Sequence, residues 1–224
     1  MAPTWKSQTN ANAASTSVTI TLPNTGDGAA SGDFGLLVCT LTPSTFSSDP
    51  SGWSPMNGSP TTATTSSGKM YLWTKTYASG DLGASLTLTP GATSRMAVFC
   101  ATYSAATIDI TGKDETNTSG TSVVAPSVVA TVAGLLVCVF GCIGNTSGDQ
   151  PTWTAPGSMT ERVDITATSA TLRNGTCEMC TETLSSSGAT GTRTATSSLN
   201  VQRQGYSFVL ATAGTQPGRW GVHI

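Results

Sequence analysis

The chain has 224 residues, 38% of them hydrophobic and only 10% charged, with a formal net charge of −2. That is enough apolar material for a buried core, and it excludes a disordered chain. The ten lysines and arginines are scattered, so the basic stripe that a phosphate-tracking nucleic-acid binder needs is missing.

Ser and Thr make up nearly a third of the residues, which favours pleated strands and turns. With so little charge, solubility must come from hydroxyls, or partners must cover much of the surface; the second reading is preferred. The N-terminal stretch Met1-Ala2-Pro3-Thr4-Trp5-Lys6-Ser7 lacks a charged region followed by an apolar one. No signal peptide is therefore expected, and assembly in the cytoplasm is. The longest apolar runs, such as 134–143, are too short to cross a bilayer as a helix.

In chain order, strands are predicted at 17–22, 34–41, 69–77, 85–89 and 96–103. Six more follow at 122–124, 134–143, 159–165, 176–184, 190–196 and 206–212. Clusters of Gly, Pro, Ser and Asn separate them. Leu86-Thr87-Leu88-Thr89 alternates as a half-buried strand does, while 35–41 is nearly all apolar, as a central strand covered on both faces would be. The segment 192–196 reads as an exposed strand. No stretch shows a helical apolar period with caps. The expectation is an all-β chain built from a β-sandwich or jelly-roll-like unit.

That unit is expected twice. Gly35-Leu36-Leu37-Val38-Cys39 recurs as Gly134-Leu135-Leu136-Val137-Cys138, and Thr16-Ser17-Val18 as Thr121-Ser122-Val123. Pro50–Trp53 resembles Ala155–Ser158. Residues 70–77 match 177–184 at an offset of 107, and 98–102 match 209–212 at an offset of 110 through an Ala-Thr pair. Ordered matches with a drifting offset indicate a duplicated fold whose loops accepted insertions. The predicted units are 1–111 and 112–224, joined by the charged segment 111–117; whether they form separate sandwiches or pack together is open at this stage.

No reactive constellation is evident. The single histidine, His223, is a poor scaffold for a catalytic triad. Most acids, Asp27 and Asp81 among them, sit in turn sequences, and Glu178 and Glu182 share one strand face. Asp27 and Asp149 lie in Gly-rich loops without the clustered oxygens of a calcium site. Of the six cysteines, Cys39, Cys100, Cys138, Cys142, Cys177 and Cys180, most read as buried reduced thiols. Cys177 and Cys180 have C-x-x-C spacing, but on a strand residues i and i+3 face opposite sides, which is wrong for a metal or redox pair. The expectation is therefore no enzyme, no cofactor and no metal. Tyr71, Trp73 and Tyr77 share strand parity and form either a sugar-stacking row or a core face. Arg219, Trp220, Val222 and Ile224, following the last strand, are read as a docking tail for a neighbouring subunit or for the other repeat.

The stretches Gly32–Cys39, Pro50–Trp53, Ala155–Arg162 and Gly188–Thr196 together resemble structural β-sandwich proteins of tailed bacteriophages. The chain departs from that pattern in its many cysteines and in Gly134, which lacks the preceding Asp. The resemblance implies a virion protein: a capsid decoration or cement subunit, or a minor tail component. It implies partners among major capsid or tail proteins and a homo-oligomer, with a trimer as one form. A carbohydrate-binding module of a tail fibre, recognising host glycans, is the alternative.

Overall fold

The computed structural model describes residues 2–57, 59–62, 68–144, 146–167 and 173–214, with the side chains of 61–62 and 113–118 left aside. The first half comprises β1 (Trp5–Ser15), β2 (Val18–Thr21), β3 (Phe34–Thr42), β4 (Ser54–Pro55), β5 (Thr61–Thr62), β6 (Lys69–Thr76), β7 (Ser85–Leu88) and β8 (Ser94–Tyr103). The second comprises β9 (Ala106–Ala125), β10 (Val129–Ala130), β11 (Gly134–Gly144), β12 (Trp153–Thr154), β13 (Thr160–Thr166), β14 (Gly175–Leu184), β15 (Gly188–Ala189) and β16 (Arg193–Thr212). The chain is all-β, as expected.

Two large antiparallel sheets dominate. Sheet 1 has the order β1-β8-β3-β6-β4, with β5 also on β6. In sheet 2, β9-β16-β11-β14-β13 run in the same sequence of positions, with β12 on β16. Cys39 lies opposite Tyr71 and Val98; Cys138 lies opposite Cys180 and Ser207. With Cys39 set level with Cys138, Tyr71 falls level with Cys180 and Val98 with Ser207, each pair 109 residues apart.

The sheets pack face to face. Phe34, Leu36, Val38, Leu72, Phe99 and Tyr103 of sheet 1 share one core with Val137, Val139, Met179, Tyr206, Phe208 and Leu210 of sheet 2. Tyr103 Oη donates to Met179 Sδ at 3.1 Å, Gln204 Nε2 donates to the Gly68 carbonyl at 3.2 Å, and Tyr206 Oη donates to the Asn57 carbonyl. Arg162 lies 5.6 Å from the ring centre of Trp5. Separating the sheets would expose side chains worth about 1.5–3 kcal/mol each. A total of five to six such residues already matches a typical domain stability of roughly 5–15 kcal/mol. The halves therefore share one core rather than forming separate sandwiches.

Each large sheet is covered again on its outer face. Val18 and Ile20 of β2, Leu22 just beyond it and Leu88 of β7 cover Leu37, Cys39, Leu41 and Cys100. Over sheet 2 lie Val123, Ala125, Val128 and Ala130, against Leu136, Cys138, Phe140 and Cys142. Here the covering layer is the far end of β9 paired with the start of β16, which bend over after register shifts near Val201. β3 thus alternates between two buried faces, as its apolar run implied.

Three expectations need correcting. Segment 111–117 is no linker: it pairs with residues 203–208 inside β9, and only Ser104 and Ala105 separate β8 from β9. Its charges misled because an edge strand, paired on one side only, accommodates charged residues in its sequence. The 192–196 strand is half-buried, with Ala195 in the outer core. Residues 5–15 and 197–205, to which no strand was assigned, lie within strands.

Candidate functional site

The six thiols are free and buried. Cys177 faces the core between the sheets and Cys180 the outer core, the opposed arrangement that strand geometry requires. Cys138 and Cys180 lie directly opposite each other on β11 and β14. Burial pushes the Cys100 and Cys138 thiols up to about 12, and Cys39 and Cys142 well above the usual thiol value. Thiolates are the reactive species, so the native protein is expected to leave all six unmodified by a thiol-reactive dye at pH 8. All six should react in denaturant. Rapid labelling of the native protein would show that one of them is accessible.

Tyr71, Trp73 and Tyr77 do share a face, but it is a core face. Their exposures are 6%, 0% and 2%. Tyr71 and Trp73 stack at 5.2 Å with a 13° tilt, and Phe46 sits edge-on against both. Trp73 Nε1 donates to Asp49 at 2.6 Å, and the Phe46 amide donates to Tyr71 Oη at 3.2 Å. Tyr77 shares a 2.9 Å hydrogen bond with Cys100, and its ring lies where a side chain on Gly35 would go. The rings offer no open face to a sugar, so the stacking row expected from parity is not available. Two clefts of about 340 and 390 Å³ flank the loop carrying Phe46 and Asp49. The second also has Lys69 on its wall.

The acids divide by environment. Asp27 accepts from the Asn24 amide, Asp81 from the Ala78 amide, and Asp149 from the amide and hydroxyl of Thr146. These are turn-closing roles. Lys6 pairs with Asp33 at 2.7 Å, Lys75 with Asp81 at 2.5 Å, and Arg193 with Glu182 at 2.8 Å. Among the described residues no group of three or more His, Cys, Asp or Glu is placed to hold a metal ion.

Glu178 is different. It is fully buried on the outer face of β14, directly opposite Asp164 of β13. Its Oε1 accepts from the Cys180 thiol at 3.2 Å, while Oε2 has no partner among the described residues. Burial, reinforced by the nearby Glu161 and Asp164 charges, raises its carboxyl to about 7. Asp164 is raised for the same reasons, burial first and then Glu161. The sequence offered only the shared face of Glu178 and Glu182; the cross-strand partner Asp164 appears once the β13–β14 register is known.

Arg219, Trp220, Val222, Ile224 and His223 lie outside the described residues, so the docking tail remains an expectation. No protein-family model, curated protein or solved structure matches the chain. What the fold defines is an all-β protein of two facing sheets, each with an outer cover.

Proposed function

We propose that the chain is a non-enzymatic structural protein of a virion, most readily a capsid decoration or cement subunit, with a minor tail position as the other placement. The observation that carries this reading is the combination of an all-β layered body with only 10% charged residues. Such a surface suits burial against partners, where affinity comes from area and symmetry rather than from a pocket. The phage-like stretches support it: they fall at the entry to β3, before β4, between β12 and β13, and from β15 into β16. The partners are then major capsid or tail proteins, and the chain acts as an oligomer.

Quantitative mass spectrometry of purified particles of the virus encoding the chain is the test. The expected result is a fixed stoichiometric ratio to the major capsid protein, or a small fixed copy number for a tail position. Absence from particles that are otherwise complete would overturn the proposal.

A further inference from the structure

Among the described residues the edge strands of the two large sheets are β1, β4, β5, β9, β12 and β13, and all but β1 are only two residues long or carry the devices that stop edges from pairing. The β4 edge is two residues long and contains Pro55. β13 carries Glu161, Arg162 and Asp164, with a register irregularity between Glu161 and Val163. β9 includes Asp109, Lys113, Asp114 and Glu115 in its sequence. β1 has such features only at its start, at Lys6 and in a register irregularity between Trp5 and Ser7. From Ser7 to Ser15 it contains no charge and no proline, and it pairs with β8 without interruption from Thr102 to Ser94. Its one charged residue, Lys6, is bound to Asp33. Among the described residues no strand pairs with the far side of β1.

We propose that this edge is a homotypic contact, in which β1 of one copy pairs antiparallel with β1 of a second copy across a twofold axis at Asn10. The strand is complementary to its own reverse. Turned about Asn10, its regular part sets Asn12 against Gln8, Ala11 against Thr9 and Ala13 against Ser7. Amides meet amides, small side chains meet small ones, and no like charges oppose each other across the axis. Asn10, Asn12 and Ala14 are exposed, and Asn10 Nδ2 already donates to Gln8 Oε1 at 3.3 Å along the edge. An edge meant for an unrelated strand has no need of this internal symmetry. Twofold pairing closes on itself, so it joins the two copies of sheet 1 into one continuous sheet without seeding a fibre. The inference stands apart from the virion reading, since it concerns the isolated chain.

The test is light scattering coupled to size-exclusion chromatography on the full chain, from micromolar to higher concentrations. Twice the chain mass is expected. The double variant Asn10→Lys/Asn12→Lys sets lysines against each other at the axis and should run at the mass of one chain, with its β-sheet circular dichroism spectrum retained and a cooperative melt that no longer depends on concentration. Thr19→Lys, on the exposed side of β2, should keep the double mass. Independently, Asn10→Cys should cross-link to its own counterpart under a copper–phenanthroline oxidant, because directly opposed strand residues lie within about 4.5–5.5 Å, disulfide range. A single-chain mass for the unaltered protein at every concentration would overturn the proposal. So would a double mass that survives the lysines, or an Asn10→Cys variant that does not cross-link.

Discussion

Replacing Gly205 with alanine is expected to destabilise the protein by at least about 3 kcal/mol, the upper range for overpacking a well-packed core. Gly205 lies on β16 under the ribbon that bends over the outer face of sheet 2. A Cβ there would sit 1.8 Å from the Val124 carbonyl oxygen, 2.6 Å from its carbon and 3.0 Å from the Ala125 Cα. All three are backbone atoms of a segment held by pairing of Val124 and Ala125 with Thr194 and Arg193. No rotamer change relieves that clash; the ribbon must lift, taking Val123 and Ala125 off the outer core.

The comparison with other glycines isolates the cause. At Gly141 the nearest atom is Met70 Sδ at 2.6 Å, the end of a flexible side chain, so Gly141→Ala should cost less. At Gly157 a Cβ meets nothing within 4 Å, and Gly157→Ala should stay within about 0.5 kcal/mol of the parent. Thermal melts give the readout: a fall of roughly 6–12 °C is expected for Gly205→Ala in a chain of this size. A melting temperature within a degree or two of the parent would mean that the ribbon does not rest on Gly205.

The second large effect is stabilising and depends on pH. Folded, Glu178 keeps its proton up to about pH 7; unfolded, it releases the proton near the ordinary Glu value of about 4.3. Between those values the native state binds more protons than the unfolded state, so stability falls as pH rises through the window and levels off above it. Below the window the carboxyl is neutral in both states and its ionisation adds no cost to folding. Glu178→Gln makes the neutral form permanent. It should match the parent near pH 4 and exceed it by up to about 3 kcal/mol at pH 8. Urea denaturation at the two pH values tests this, and an equal difference at both would show that Glu178 does not titrate across folding. Asp164, raised in the same direction, adds to the parent's loss of stability with pH.

The central strands were legible because their signal is local. The apolar run at 35–41 reads as a strand covered on both faces and 134–143 as a strand, and β3 and β11 are buried along their whole length. Strand parity also separated Cys177 from Cys180 without any knowledge of their neighbours. β1 and most of β9 were not legible. Polar edge strands such as 5–15 and 106–120 are held by main-chain pairing to β8 and β16, and hydrogen-bonded backbone leaves no pattern in side-chain hydropathy.

Composition and periodicity by themselves determined the all-β class, the alternation of strands and turns, the burial of the thiols and the shared face of Tyr71, Trp73 and Tyr77. Only the tertiary structure decided that this face is covered by Phe46, that Asp164 lies opposite Glu178, and that the two large sheets enclose one core between them. The reason is range. A strand's period reports which of its faces is apolar, but what lies against that face comes from residues about a hundred positions away, and no local pattern encodes that register.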